Sequence, residues 1–276
     1  MTPHAAFGRR ARATVPARND WRSSRCSKRE SRDGDGDARP DAPPVSSAPS
    51  YRLDLFGYGG ISEHTAGAVL TAVSAPYPRP PARYRLWTGD ALISRLRSVA
   101  LSQFLDENAA DVQVMVDHDV SFPPDAPARL AAHAHAIRGV VGGLYAKRSE
   151  GGGFASPTAG PVVGLRDELR EVPYVSTGFL AIDRRAADAM IVALSDEGMD
   201  PDLRVRRCRC GDRDFWDVFR PFSVPSERAP GLCEYLSEDW AFARRMQAAG
   251  VPVRLWLGAE IVHHGEKAWR WGDVIG

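Results

Sequence analysis

The chain has 276 residues, of which 43% are hydrophobic and 26% charged, a composition typical of a globular protein with one sizeable domain or two small ones. Its formal net charge is +1, so global charge gives no reason to expect nucleic acid or a membrane surface as a partner. The four cysteines form neither CxxC pairs nor a disulfide framework, and no apolar run approaches the roughly 18–20 residues that span a bilayer. We therefore expect a cytoplasmic protein with free thiols and no transmembrane segment.

The first fifty residues differ from the rest, because they are rich in Arg, Asp, Ser, Pro and Ala and poor in large apolar side chains. Such a segment cannot bury enough surface to offset its ordering entropy. Arg9-Arg10 is not followed by the apolar region of an export signal, and the acidic residues from Asp20 onward disfavour a transit peptide. An over-assigned start codon is an alternative origin. We predict a disordered, low-complexity extension over 1–50 and a folded domain over 51–276.

Strands and helices alternate through the first half of the folded region. The predicted strands cover residues 53–58, 84–87, 112–116 and 139–145. The predicted helices cover residues 63–73, 91–108 and 126–137. Ser62 and Asp125 stand at positions that favour side-chain capping of the first and third helices. This alternation predicts an α/β fold with a mostly parallel sheet flanked by helices.

The acidic triplet Asp117-His118-Asp119 directly follows the apolar strand 112–116. Open α/β sheets place their ligand sites at this carboxyl end of a strand. In extended backbone, residues two apart point to the same side, so Asp117 and Asp119 can face one cation while His118 turns away. Two carboxylates with open water positions suit Mg²⁺ or Mn²⁺ that also holds substrate phosphates. The alternative is an acidic strand-to-helix turn in which Asp serves as cap and turn former.

The second half of the folded region is less regular. A strand interrupted by Ser176-Thr177-Gly178 is predicted within 174–182, and Asp183 is predicted to cap a helix that ends near Leu194. Residues 195–232 carry dense charge and several prolines, which predicts an irregular segment that is functional or disordered.

A further helix is predicted after Ser237, its expected N-cap. Glu238-Asp239 fills the first turn, where the helix dipole favours anions, and Gly250 ends the helix. A strand over 251–257 and the pair His263-His264 follow.

Taken in order, these segments resemble the GT-A glycosyltransferases, in particular bacterial and viral members near family 2. The resemblance covers about residues 52–275. It rests on the helix segment 92–97, Asp117-His118-Asp119 as a DxD motif, the strand 141–147, the glycine loop Ser176-Thr177-Gly178-Phe179, the acidic motif Ser237-Glu238-Asp239 followed by Phe242 and Arg245, and His263 before Gly265. It implies a GT-A, Rossmann-like fold.

The resemblance also implies a function, namely metal-dependent transfer of a sugar from a nucleotide-sugar donor to an acceptor hydroxyl, with inversion. The cofactor would be Mn²⁺ or Mg²⁺, and the acceptor would be a glycan, lipid or protein that the sequence does not specify. The implied roles are metal binding by Asp117, Asp119 and His263, donor binding by Arg95, Arg97 and Asp117, acceptor-side contacts by Thr177 and Gly178, and catalysis by Asp239 as base with Glu238 binding the acceptor or exchanging roles with it.

These residues also have simpler explanations. Glu238 and Asp239 are acids that any helix N-terminus favours. Arg95 and Arg97 point to different helix faces and can be solvated. Gly178 can serve only backbone crowding. His263 and His264 are adjacent, so in a strand only one of them can face the site. The charged stretch 201–217 has no counterpart in the family, which leaves the acceptor open.

Three other functions remain open at the level of sequence. A metal-dependent phosphoesterase would need further Asp- and His-based motifs after successive strands, and no Asp-x-His or Gly-Asn-His element is present. A nucleotidyltransferase would need a basic, glycine-rich first loop, and Gly57-Tyr58-Gly59-Gly60 lacks the basic part. A catalytically degenerate sugar-binding protein would not require Asp117, Asp119, Asp239 and His263 together.

Overall fold

The computed structural model describes residues 48–75, 80–149, 152–265, 268–270 and 272–275. Most of the extension predicted over 1–50 therefore lies outside the described residues. The strands are β1 (Tyr51–Phe56), β2 (Arg83–Trp87), β3 (Val112–Asp117), β4 (Val120–Ser121), β5 (Val140–Tyr145), β6 (Leu169–Glu171), β7 (Phe179–Asp183), β8 (Arg207–Cys210), β9 (Arg213–Trp216), β10 (Phe222–Pro225), β11 (Cys233–Leu236), β12 (Val253–His264) and β13 (Ala268–Trp269). The helices are α1 (Glu63–Ser74), α2 (Ile93–Glu107), α3 (Ala126–Ile137), α4 (Arg184–Leu194), α5 (Glu238–Ala248) and α6 (Gly272–Ile275).

A mixed sheet with the order β13-β12-β5-β7-β3-β1-β2 forms the centre of the domain. β1 is parallel to β2 and β3, and β12 is parallel to β5. β7 lies between β3 and β5 and is antiparallel to both. The strands β2, β1, β3, β5 and β12 consequently run in one direction, and their carboxyl ends share one edge of the sheet. The predicted α/β class with a mostly parallel sheet is confirmed.

The apolar core covers both faces of this sheet, which explains why the central strands are continuously apolar. Along β3, Val114 and Val116 pack on the face covered by α1 and α3. Met115 points to the opposite face and packs with residues of α2, α4 and α5. This alternation follows from the two-residue period of a strand. None of the helices in the described part of the chain is long and apolar enough to cross a membrane.

Two of the predicted helix caps form as expected and two do not. The Ser62 hydroxyl accepts from the Thr65 amide at 3.1 Å, and the Asp183 carboxylate accepts from the Arg185 amide at 3.0 Å. The prediction for Asp125 is wrong, because its backbone is already helical and its side chain accepts no capping hydrogen bond. Ser237 occupies the N-cap position, but its side chain makes no capping bond to the helix.

The region 195–232 is more ordered than the sequence predicts. β8 pairs with β9, and β10 pairs with β11, as two antiparallel hairpins outside the main sheet. The buried side chain of Arg245 organises this region by donating to the carbonyl groups of Asp202, Leu203, Val218 and Arg220. Burial lowers the pKa of Arg245 to about 10, which leaves it charged at neutral pH. A long-range anchor of this kind has no local sequence pattern.

The strand predicted within 174–182 begins only at Phe179, and residues 174–178 form the loop before it. The last predicted strand, 251–257, is the first part of the longer β12, which continues through a register shift between Trp256 and Ile261. β12 therefore carries His263 to the edge of the sheet where β3 and β5 end.

Candidate active site

A cleft of about 630 Å³ lies at the carboxyl ends of β1, β3 and β5, beside the first turns of α2 and α5. This is the position at which open α/β sheets bind ligands. Of the residues with predicted roles, the cleft is lined by Arg97, Asp117, Asp119, Thr177, Glu238, Asp239 and His263. The other lining residues are Phe56, Gly57, Tyr58, Asp90, Ala91, Ile93, Leu96, His118, Tyr145, Lys147, Arg148, Ala155 and Ser176. Residues distant in sequence thus share one concave surface.

The acidic triplet reaches the cleft by a route that differs from the prediction. β3 ends at Asp117, and the next two residues form a turn before β4. The argument from extended backbone therefore does not apply to His118 and Asp119. His118 is exposed and lines the same cleft, so the prediction that it turns away is wrong. The turn is fixed because the His118 amide donates to the Phe56 carbonyl at 2.7 Å and its own carbonyl accepts from Ser62.

Arg97 joins two carboxylates from different elements. Its Nη2 lies 2.5 Å from Oδ1 of Asp117 and its Nη1 lies 2.8 Å from Oε1 of Glu238. Burial opposes the charged form of Arg97, but the charges of Asp117 and Glu238 outweigh that effect and raise its pKa. Both terminal nitrogens have carboxylate partners in place of the diphosphate predicted for this residue. The role of Arg97 in donor binding stays a prediction, and its observed contacts fix Asp117 relative to the start of α5.

Asp119 and His263 form a second polar group. Nε2 of His263 lies 3.6 Å from Oδ2 of Asp119, and the same oxygen lies 2.8 Å from Nη1 of Arg148. Burial raises the pKa of Asp119, but its interactions with His263, His118 and Arg148 outweigh that effect and lower the pKa. This carboxyl group is therefore ionised at neutral pH.

The two adjacent histidines separate as a strand requires. Nδ1 of His263 lies 3.2 Å from the carbonyl oxygen of Ala146. His264 instead bonds through Nε2 to the hydroxyl of Ser121 at 2.7 Å and stacks on His64. Of the pair, only His263 lines the cleft with Asp119.

The two carboxylate oxygens of Asp239 differ in their hydrogen bonding. Its Oδ1 accepts from the Trp240 amide at 2.9 Å and from the Ser237 hydroxyl. Among the described residues, none donates a hydrogen bond to its Oδ2. Ser237 thus orients a carboxylate in the cleft, and this is why it makes no capping bond to α5. The helix start fixes the Asp239 side chain while one oxygen stays available.

The loop before β7 packs tightly against this centre. The Gly178 amide donates to the Tyr145 hydroxyl at 3.1 Å, and that hydroxyl also bonds to Ser176. A Cβ on Gly178 would overlap the Tyr145 hydroxyl and lie 3.2 Å from Oδ2 of Asp117, so a close approach requires glycine here. Thr177 is buried and lines the cleft. Burial raises the pKa of Tyr145, which is therefore a neutral hydrogen-bonding group at neutral pH.

Arg95 is the predicted donor-binding residue that lies apart from the others. It is not part of the cleft lining, and its guanidinium forms a bidentate pair with Asp90 at 2.7 and 2.8 Å. Asp90 itself borders the cleft. Residues two apart in a helix point to different sides. The side chain of Arg97 therefore reaches the centre of the cleft, while that of Arg95 lies near its rim.

Asp119 and His263 supply two donor atoms of the kind that a divalent cation takes. The Ala146 carbonyl is an acceptor only, so in the neutral imidazole the proton lies on Nδ1 and the lone pair of Nε2 faces Asp119. A backbone carbonyl bonded to the other ring nitrogen is the usual support of a metal-bound histidine. Two ligand atoms on one ion, each roughly 2.0–2.2 Å from it, lie a little over 3 Å apart. In the described part of the chain, no group of three His, Cys, Asp or Glu side chains is arranged to hold a metal.

Several residues of the centre had no predicted role. Arg148 contacts Asp119, Tyr145 supports Gly178, and Ser237 orients Asp239. Arg148 had a usable signal, since Lys147 and Arg148 directly follow a strand whose carboxyl end shares the edge with Asp117. The contact between Tyr145 and Gly178 joins distant parts of the sequence, and the bond from Ser237 to Asp239 depends on side-chain orientation.

No protein-family model and no curated protein sequence matches the chain. Among solved structures, the chain is similar to A197 from STIV, with a TM-score of 0.50 and 14% identity over 78% of this chain and 86% of that one. It also matches the structure of GalNAc-T7 with UDP, GalNAc and Mn²⁺, with a TM-score of 0.45 and 9% identity. That match covers 79% of this chain and 44% of the other. At these identities the similarity concerns the fold alone.

Proposed function

We propose that the protein is a metal-dependent glycosyltransferase that moves a sugar from a nucleotide-sugar donor to an acceptor hydroxyl with inversion. The observation that carries the proposal is the composition of a single cleft. It contains a carboxylate and an imidazole 3.6 Å apart, Asp119 and His263, together with a separate carboxylate, Asp239, which has one open oxygen. The first pair suits a cation, and the other carboxylate suits a base.

On the donor side, Asp119 and His263 would hold Mn²⁺ or Mg²⁺, with Asp117 beside them in the cleft. The bound cation would stabilise the negative charge that develops on the leaving diphosphate. Arg97 keeps Asp117 in place. Lys147 and Arg148 add positive charge along the same cleft, where a diphosphate needs charge-assisted hydrogen bonds.

On the acceptor side, Asp239 would take the proton of the attacking hydroxyl on Oδ2. Its Oδ1 is engaged by Ser237 and Trp240, so the orientation of the carboxylate is set before the acceptor arrives. Glu238 is bound to Arg97, and we assign to it the positioning of the acceptor side. Thr177 and the tightly packed Gly178 form the adjacent wall. A base that deprotonates the acceptor for direct displacement accounts for inversion.

We also propose that residues 51–276 form one glycosyltransferase domain behind an N-terminal extension. Ser50 belongs with this domain, since its amide and hydroxyl donate to Asp111 at 2.8 and 2.7 Å. We therefore propose that the boundary lies at or before Ser50.

A screen of nucleotide sugars with Mn²⁺ or Mg²⁺ tests the proposal, with release of nucleoside diphosphate and of free sugar as separate readouts. We expect metal-dependent turnover of at least one nucleotide sugar, abolished in Asp119→Ala. A phosphoesterase would release inorganic phosphate, and a nucleotidyltransferase would form pyrophosphate. Either product, without any sugar release or transfer, would contradict the proposal.

A further inference from the structure

A positively charged side chain already pairs with Asp119, one of the two residues proposed to bind the cation. The carboxylate is nearly buried, so its negative charge requires a partner. Its Oδ2 has two basic neighbours, Nη1 of Arg148 at 2.8 Å and Nε2 of His263 at 3.6 Å. The shorter contact belongs to the guanidinium, which always carries a positive charge. The oxygen that suits a divalent cation is therefore already paired with a side-chain cation.

The Arg148 guanidinium and a divalent cation would compete for Oδ2 of Asp119, because two positive groups close to one oxygen repel each other. A cation between Asp119 and His263 would lie about 2 Å from Oδ2, so a guanidinium nitrogen 2.8 Å from that atom would be held against a like charge. Arg148 must then leave Asp119 for the cation to bind. His263 can stay, because the Ala146 carbonyl already holds its ring in the orientation that presents Nε2.

Arg148 is placed so that it can move. Its side chain is 47% exposed, while that of Asp119 is 10% exposed. Its hydrogen bond to the carbonyl of His264 is long at 3.4 Å. The side chain also borders a second hollow, which is lined by Gly60 and His64 as well as Asp119 and gives it room to shift.

We propose that Arg148 is a built-in competitor of the divalent cation. It neutralises Asp119 in the metal-free protein and is displaced when the cation binds, so it weakens the affinity of the site for a bare cation. This inference rests on the proposed function in placing a cation at Asp119 and His263. It adds a residue that sets how readily that cation is held.

Titration with Mn²⁺ alone, followed by the electron paramagnetic resonance signal of the free ion, tests the inference in the full-length protein. Removing the competing guanidinium from its ion pair with Asp119 should lower the Mn²⁺ dissociation constant of Arg148→Gln roughly tenfold relative to the unmodified protein. Arg148→Lys keeps a competing charge and should stay within about threefold of the unmodified protein.

Lys147→Gln is the matched control, because it removes the same charge from the neighbouring residue, which also lines the cleft but has no described ion pair with Asp119. We expect a change of less than about threefold, from long-range charge alone. In the double variant that combines Asp119→Ala with Arg148→Gln, the gain in Mn²⁺ affinity should be lost. A single cooperative melting transition in each variant would show that all are folded.

The inference is overturned if Arg148→Gln binds Mn²⁺ no more tightly than Lys147→Gln, or if its gain survives Asp119→Ala. Absence of Mn²⁺ binding in every variant would overturn it as well, since a competitor needs a site. These outcomes are separate from failure of the proposed function. Tighter Mn²⁺ binding in Arg148→Gln without turnover of any nucleotide sugar would support the inference and contradict glycosyl transfer.

Discussion

Asp119 and His263 face each other across 3.6 Å at the edge of the sheet, with the imidazole held through its other nitrogen by the Ala146 carbonyl. β12 brings the histidine to this point because it runs parallel to β5 and passes beyond the end of that strand. The adjacent His264 faces away from the cleft, toward Ser121 and His64. The two histidines therefore provide an internal comparison of a proposed ligand position with a neighbouring position outside the cleft.

His263→Ala and Asp119→Ala should each abolish the thermal stabilisation produced by Mn²⁺ with a nucleoside diphosphate. A ligand that binds only the folded state at about 100 times its Kd adds about 2.7 kcal/mol of stability, equivalent to roughly 5–10 °C in a domain of this size. His264→Ala should retain that shift, although its melting temperature without ligands is lower than that of the unmodified protein. The measurement is a melting curve with and without the ligands. A full shift in His263→Ala would remove this residue from the metal site.

Arg97 and Arg95 should differ sharply in their effect on stability. The side chain of Arg97 is 3% exposed and bridges Asp117 and Glu238, whereas that of Arg95 is 38% exposed and pairs with Asp90. Replacing Arg97 by Met leaves two carboxylates without their buried partner and should cost about 3 kcal/mol. Arg95→Met should cost less than about 1 kcal/mol. Urea unfolding of both variants measures the difference, and equal midpoints would show that the Arg97 bridge contributes little.

Gly178→Ala should damage both the fold and the site, because a Cβ there overlaps the Tyr145 hydroxyl and approaches Asp117. We expect a loss of about 1–3 kcal/mol from overpacking, together with reduced sugar transfer. Gly67→Ala is the control, since a Cβ at this helical position meets nothing within 4 Å and alanine favours a helix. Unfolding and transfer rates should be measured for both. A fully stable and active Gly178→Ala would mean that the loop relaxes without consequence.

Ser50 should mark the functional start of the domain. The Ser50 hydrogen bonds lower the pKa of Asp111 below its ordinary value of 3.8, which means that folding favours the ionised carboxylate. That stabilisation is complete above the unfolded pKa and fades as pH falls through the folded value. Ser50→Ala should therefore cost about 1 kcal/mol at pH 7 and progressively less below about pH 4.

A chain shortened to begin at Ala48 keeps these bonds and should melt like the full-length protein, which tests whether residues 1–47 are dispensable for folding. A pH-independent penalty for Ser50→Ala would show that Asp111 is not the partner that matters. Aggregation of the shortened chain would show that the preceding residues support the fold.

Much of the fold could be predicted because its signals are local. Each of these signals acts within one turn or one strand. They are the apolar run before Asp117, the caps Ser62 and Asp183, and the glycine after α5. The contacts that organise the centre are not local. Arg97 meets Glu238 across 141 positions of sequence, and no pattern within one helix indicates such a partner.

The irregular second half shows the same limit. The hairpins β8–β9 and β10–β11 consist of short, mostly exposed strands without a clear apolar alternation, so periodicity does not identify them. The segments that precede and connect the hairpins are held by the buried guanidinium of Arg245, which donates to four separate carbonyl groups. The turn at His118 and Asp119 likewise depends on the Phe56 carbonyl and the Ser62 amide of another segment.

Asp239 and Asp119 should show opposite losses if one is the base and the other binds the cation. Asp239→Asn keeps the size of the side chain but cannot take the acceptor proton, so sugar transfer should fall by roughly 10²–10⁴-fold. Affinity for Mn²⁺ and nucleoside diphosphate should remain nearly unchanged, because Asp239 starts α5 and Asp119 follows β3. Asp119→Asn should lose metal-dependent donor binding first.

Ser237→Ala is the matched control for orientation, since it removes a hydroxyl that bonds to Oδ1 of Asp239 but leaves the carboxylate. We expect a smaller fall in transfer rate, about tenfold, with the Trp240 amide still bound to the same oxygen. Transfer rate and donor affinity should be measured side by side for the three variants. If Asp239→Asn lost donor binding and kept the turnover of bound donor, Asp239 would be a structural acid at the helix start, and the base would have to be sought elsewhere in the cleft.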